Sequence, residues 1–221
     1  MTGTSLTGHP KADITAAFSK VYDENVWQRK GTSGPGSSAQ YTGEYRTFLH
    51  RLIVSYKVKR ILDVGCGLWE YMQHINLSGI DYLGLDPVPS VIQNNQNLRL
   101  PDNIKFQCGV VDDVENLGQF DMAIVKDVFQ HLPNRTIMEM LEKLKVIPLL
   151  VITNDVLHGA NVDCAFGGFR KINMEAPPFS LSPAGKLDFQ SMPFIKRTLV
   201  IRNDADAGER VLNTSLFSAT A

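Results

Sequence analysis

Cysteine is scarce in this 221-residue chain: only Cys66, Cys108 and Cys164. An odd, widely scattered set makes neither a disulfide framework nor a CxxC metal pair, so a reducing, cytoplasmic setting is the expectation. No apolar run approaches the ~20 residues needed to span a bilayer. The opening MTGTSLTGHPKADI also lacks the apolar stretch of a secretory signal. Charge of one sign is missing too: 22 basic against 23 acidic residues give a formal net charge of −1. No global field therefore draws nucleic acid or a membrane surface, although a local basic patch stays open. There is no internal repeat. What is plentiful is apolar material, at 43% hydrophobic, enough for the core of one large domain.

The first 42 residues read as a separate N-terminal segment, and residues 43–221 as the main domain. Residues 13–29 can form a short amphipathic helix. KGTSGPGSSAQYTG, rich in Gly and Ser, then reads either as a flexible linker or as a lid over a pocket, with Trp27, Tyr41 and Tyr45 beside it. Residues 43–58 place Tyr45, Phe48, Leu49, Leu52 and Ile53 on one helical stripe.

From residue 60 an alternation begins. RILDVG, DYLGLD, IKFQCGV, FDMAIVKD and IPLLVITND read as buried strands, and WEYMQHIN, PSVIQNNQNL and 134–146 as helices between them. Strands apolar throughout, alternating with helices, predict a doubly wound α/β fold with a mostly parallel sheet covered on both faces. Residues 156–185 are too long for an ordinary connection and read as a functional loop. KRTLVIRND (196–204) and a segment within 209–218 are expected to add an antiparallel C-terminal edge.

ILDVGCGLWEY opens the alternation. Gly65 and Gly67 permit a tight turn and a close backbone approach to a ligand. A pyrophosphate would sit at the N-terminus of the following helix, where Glu70 would repel it. A nucleoside cofactor without phosphate meets no such objection, and S-adenosylmethionine (SAM) is one. Asp63 would then help hold its ammonium group. Asp86 closes the second strand 19 residues after Gly67, where a carboxylate accepts ribose hydroxyls; its alternative is a helix N-cap.

These residues resemble the class I SAM-dependent methyltransferases from about Arg60 to Asp155. ILDVGCG is similar to the family's first motif, with Trp69 where the usual form carries another glycine. YLGLDPVPSVI is similar to the ribose motif, GVVDD to the segment near the adenine, and FDMAIVKDVFQHLPN to the fourth-strand motif. The resemblance implies a seven-stranded sheet and a SAM site built from Asp63, Gly65, Cys66, Gly67, Trp69, Asp86, Pro87, Asp112, Asp113 and Lys126. SGPGS, KDVFQHL, GGFR and PPF further resemble a subgroup of small bacterial and viral methyltransferases, some of which accompany glycan-building enzymes.

The expected reaction is methyl transfer to a small molecule or glycan, at a hydroxyl oxygen, without need of a metal. An alcohol nucleophile benefits from a general base. His131 is the first candidate, just past the fourth strand, against a role as pocket wall. Asp127 is the second, against a helix cap or a partner for Lys126 or Arg170. Lys126 and Asp127 are neighbours, so a regular strand would send them to opposite faces. Tyr45, Asp155 and Arg170 are candidate acceptor contacts; Asp155 can otherwise turn the chain, and Arg170 can form a surface ion pair. Backbone amides of Ser33–Ser37 are candidates for the cofactor carboxylate. Protein or RNA methylation, a non-catalytic scaffold suggested by Trp69, and a dinucleotide oxidoreductase disfavoured by Glu70 are the alternatives.

Overall fold

The computed structural model describes residues 11–26, 33–191 and 194–203. Trp27 and the segment 209–218 lie outside the described residues. Helix α1 spans Lys11–Asp23 and α2 spans Gly43–Ser55. The sheet is built from β1 (Arg60–Val64), β2 (Asp81–Asp86), β3 (Ile104–Cys108), β4 (Met122–Lys126), β5 (Leu149–Asp155), β6 (Gly185–Ser191) and β7 (Phe194–Arg202). Its order is β3-β2-β1-β4-β5-β7-β6. The first five strands run parallel, and β7 joins β5 and β6 antiparallel. Helices α3 (Pro89–Gln96) and α4 (Asn134–Leu144) complete the fold.

Burial on both faces explains the continuous apolar strands. Ile61, Met122, Ile124 and Val151 pack on one face with Tyr45, Phe48, Leu49 and Leu52 of α2. Leu62, Val64, Ala123 and Val125 pack on the other, with Ile137, Leu141 and Leu144 of α4. Each buried Val, Leu, Ile, Phe or Met side chain among them contributes about 1.5–3 kcal/mol.

Three expectations need correction. WEYMQHIN is not an α-helix; only a single 3-10 turn forms at Met72–His74. Trp69 and Tyr71 are both buried in the α2-side core, and residues two apart cannot face the same way on a helix. Trp69 also takes a left-handed φ of 59°. Second, β6 was not anticipated. It is an edge strand whose outward residues are exposed, so it lacks a continuous apolar run. Third, Asp127 has φ 60°. The chain leaves strand geometry there, and the alternation that would separate Lys126 from Asp127 ends.

Candidate active site

The sheet order sets the site. Going from β2 through β1, β4 and β5 to β7, the strand ends carry Asp86, Gly65 to Gly67, Lys126 with Asp127, Asp155 and Lys196. All but Cys66 in its buried turn are short of side chain or charged, and together they line one cavity of about 740 Å³. Lys196 reaches this end because β7 is antiparallel and pairs it with Asp155.

The glycine turn is tied to β2: the Gly65 and Cys66 amides both donate to the Leu85 carbonyl, at 2.7 and 3.1 Å. Gly65 and Gly67 hold φ of 74° and 53°. A Cβ on Gly65 would meet Val128 Cγ2 at 2.3 Å, and one on Gly67 would meet Ser33 Oγ at 2.3 Å, so side chains are excluded twice over. Asp86 accepts the Gly67 amide at 3.1 Å and the Val88 amide at 3.0 Å. Burial raises its carboxyl to about 6, against the pull of those two amides. The Asn95 amide donates to the Gly67 carbonyl at 2.7 Å, a support that its place within PSVIQNNQ did not single out.

Asp63 lies beneath this turn, off the cavity lining. Its Oδ2 accepts from Tyr82 at 2.7 Å and Tyr71 at 3.4 Å, and burial lifts it to about 6. Its Oδ1 has no partner among the described residues. Cys66 lines the cavity and is itself buried, which pushes its thiol up. Trp69 sits in the core against Tyr82 and Phe106, not along the cavity. Pro87 and Asp112 line the cavity and Asp113 does not. Asp112 pairs with Lys143. Asp113 pairs with Lys11 at 2.7 Å and accepts the Val110 amide at 2.8 Å.

The N-terminal segment covers the opening. Ile14, Phe18 and Tyr22 of α1 and residues 33–37 line the cavity. The Ser33 amide donates to Glu70 Oε2 at 2.8 Å, and Ser33 Oγ accepts the Leu68 amide at 2.7 Å. Glu70 thus does not stand at an α-helix N-terminus to repel a phosphate: only a 3-10 turn follows it, and Glu70 holds the segment 33–37. The Ser33 and Ser37 amides are both engaged within the protein, Ser37 with Gly34 O at 3.2 Å.

Below this segment lies a buried charge cluster. Lys126 donates to the Gly36 carbonyl at 2.8 Å and to Asp127 Oδ2 at 2.5 Å. Its ammonium lies over the Tyr45 and Tyr71 rings, 5.6 and 5.2 Å from their centroids. Lys196 donates to Asp127 Oδ1 at 2.7 Å and to Asp155 Oδ1 at 2.8 Å. Burial alone would raise Asp127; the two ammoniums outweigh it and hold the carboxyl well below the ordinary range. Burial lowers Lys126 despite Asp127. At Lys196 the two carboxylates overcome burial and the pKa rises. Asp155 is raised by burial against the pull of Lys196. Lys196 carried no signal of its own in the sequence, because cross-strand pairing made its partnership.

His131 lines the same end. Its Nδ1 lies 2.6 Å from the Gly168 carbonyl, so that nitrogen carries the proton. Gln130 Oε1 accepts the Asp155 amide at 2.9 Å, which turns the Gln130 NH2 toward His131 Nε2 at 3.4 Å. The network thus assigns Nε2 as the basic nitrogen. Burial keeps the imidazole below its usual pKa. Tyr45 and Arg170 are not part of this end. Tyr45 is fully buried between Tyr71 and Phe189. Arg170 clamps the long loop by bonding Asn134 Oδ1 at 2.8 Å and the Cys164 sulfur.

Residues 61–147 match a family model described as a methyltransferase domain. No curated protein matches the chain significantly. Among solved structures, the 1,6-didemethyltoxoflavin N1-methyltransferase of Burkholderia thailandensis, bound to 1,6-didemethyltoxoflavin and S-adenosylhomocysteine (SAH), superposes with a TM-score of 0.61. It is 14% identical, over 86% of this chain and 88% of that one. The plantazolicin methyltransferase BpumL, in complex with a desmethyl-plantazolicin analogue and SAH, gives 0.48 at 17% identity over 69% of this chain. The match covers 63% of that enzyme, under two thirds of its length. The methyltransferase domain of a bacterial Hen1 gives 0.43 at 18% identity, over 51% and 65%. Family match and shared architecture point the same way: residues 61–147 match a methyltransferase domain, and the sheet has the class I methyltransferase fold.

The donor set suits that cofactor. The glycine turn leaves no room for side chains, and Asp86 offers a carboxylate at the cavity wall. The cavity volume lies in the range of small-molecule and cofactor sites.

Proposed function

We propose that this protein transfers a methyl group from SAM to a hydroxyl oxygen of a small-molecule acceptor. The observation that carries this is the single cavity joining the Gly67–Asp86 end to the His131, Asp155 and Lys196 end. SAM supplies a methyl group on a sulfonium. On the cofactor side, Gly65, Cys66, Gly67, Pro87 and Asp112 shape the wall and Asp86 accepts the ribose hydroxyls. Asp63, under the turn and off the cavity, acts through Tyr71, which lines the cavity and donates to it. Residues 33–37 and α1 act as a cover over both ends.

On the acceptor side His131 is the general base. Its Nδ1–H is committed to Gly168, and Nε2 takes the proton once the acceptor hydroxyl displaces the long 3.4 Å contact from the Gln130 NH2. Asp127 is held ionised by two lysines, so it anchors Lys126 and Lys196 and takes no proton. Trp69 packs into the core and leaves the cavity open, which supports catalysis over the scaffold reading. A glycan stays within the acceptor class that the sequence resemblance suggested.

The test is SAH release from SAM across a small-molecule acceptor library. His131→Asn is expected to lower kcat about a hundredfold or more while SAH affinity is kept. With neutral imidazole as the active form and its pKa held below the usual value, the rate should stay flat from neutral pH upward. It should fall only in acid below the ordinary histidine range. A variant with unchanged kcat and pH profile would remove His131 from this role.

A further inference from the structure

The acceptor end of the cavity has an uneven chemistry. One wall is aromatic. The His131 ring lies 5.7 Å from Phe169, and Phe169 stacks on Phe194 at 5.9 Å with 27° between planes. Phe169 lines the cavity yet keeps 52% of its surface exposed. The charged groups are spent on one another: two lysines and two aspartates cancel in charge and share short bonds. Gln130 is engaged at both ends of its amide.

Beside the second oxygen of Asp155, two polar features stand out. An ammonium has three donors, and Lys196 uses two of them on Asp127 and Asp155. Ser191 lines the cavity at 1% exposure, and its Oγ has no hydrogen-bond partner among the described residues. A buried hydroxyl without a partner calls for one from a ligand.

We propose that the acceptor is a planar hydroxyaromatic molecule. This rests on the hydroxyl-acceptor reading above and narrows it. The ring lies against Phe169 and Phe194, the reacting hydroxyl meets His131 Nε2 and the remaining Lys196 donor, and a second polar substituent pairs with Ser191 Oγ. Aromatic faces prefer another flat ring. A pyranose brings several hydroxyls, each needing a partner on burial, and this end offers few. In the step, the hydroxyl proton passes to Nε2 and an oxygen lone pair forms the new O–CH3 bond. The methyl–sulfur bond breaks with its electrons left on sulfur. His131 becomes imidazolium, and the sulfonium becomes the neutral thioether of SAH.

The test is saturation-transfer NMR on the full chain loaded with SAH. The probes are catechol, 1-naphthol and 7-hydroxycoumarin, with methyl β-D-glucopyranoside as the sugar. Transfer to at least one aromatic probe is expected, with its Kd rising about tenfold in Phe169→Ala and several-fold in Ser191→Ala, at unchanged SAH affinity. Phe169 is exposed and Ser191→Ala removes one atom, so both variants should fold. Preferential binding of the glucoside, or no binding of any aromatic probe to the SAH-loaded protein, would overturn the proposal. If SAH itself did not bind, methyl transfer would fall first and the acceptor proposal with it; the SAH titration reads that failure separately.

Discussion

Asp127 and Lys196 show how a site can hang on single dihedral angles and single pairings. Asp127 at φ 60° turns its carboxylate back to Lys126, and Lys196, 3% exposed, bridges Asp127 and Asp155. Removing the shared cation leaves buried Asp155 without its partner and Asp127 with Lys126 alone, which costs about 3–5 kcal/mol. Lys196→Met should therefore lower the melting temperature by about 10 °C; an unchanged melt would mean that the cluster is well hydrated. Asp86 adds a pH dependence. Its carboxyl is raised to about 6 by burial, so it is an ionised acceptor above that pH and protonated below. SAH affinity measured by calorimetry should be flat at alkaline pH and weaken as the pH falls through about 6. Affinity that is constant down to pH 5 would mean that Asp86 does not accept from the ligand.

At the scale of elements, the segment 33–37 rests on the charge cluster through Gly36. A Cβ there would stand 2.8 Å from Asp127 Oδ2 and 2.9 Å from Lys196 Cε. Both atoms are held by ion pairs and cannot give way freely. Gly36→Ala should lift the cover at a cost of about 1–3 kcal/mol. The readout is a tenfold or greater rise in Kd for SAH with melting lowered by only a few degrees, and an unaltered Kd would show that the cover plays no part in cofactor binding. The strands and the turn around Gly65 were legible because continuous apolar runs and glycines are local signals. The missing helix after β1 was less so, since it depends on Trp69 and Tyr71 both reaching the core. An alternation of Lys186, Leu187, Asp188, Phe189 and Gln190 was present in β6 and would have revealed an edge strand. No local pattern announces that Lys196 faces Asp155, or that Gln130 orients His131. Arg170 and Tyr45 were drawn toward the site by residue type, and packing took both elsewhere.

For the whole molecule, one sheet brings the β1 and β2 ends beside the β4, β5 and β7 ends of one cavity, which we propose as its cofactor and acceptor halves, under a single N-terminal cover. That continuity is the ground on which we propose methyl transfer rather than simple nucleotide storage. Among the described residues no helix is long and apolar enough to cross a membrane. The most direct measurement is calorimetric titration with SAH at pH 7.5, on the wild-type chain and on Asp86→Ala. The account predicts binding in the micromolar range, weakened about tenfold to a hundredfold in the variant as hydrogen bonds to a charged acceptor are lost. Absence of binding to the wild type, or equal affinity in the two proteins, would contradict the cofactor site as built here.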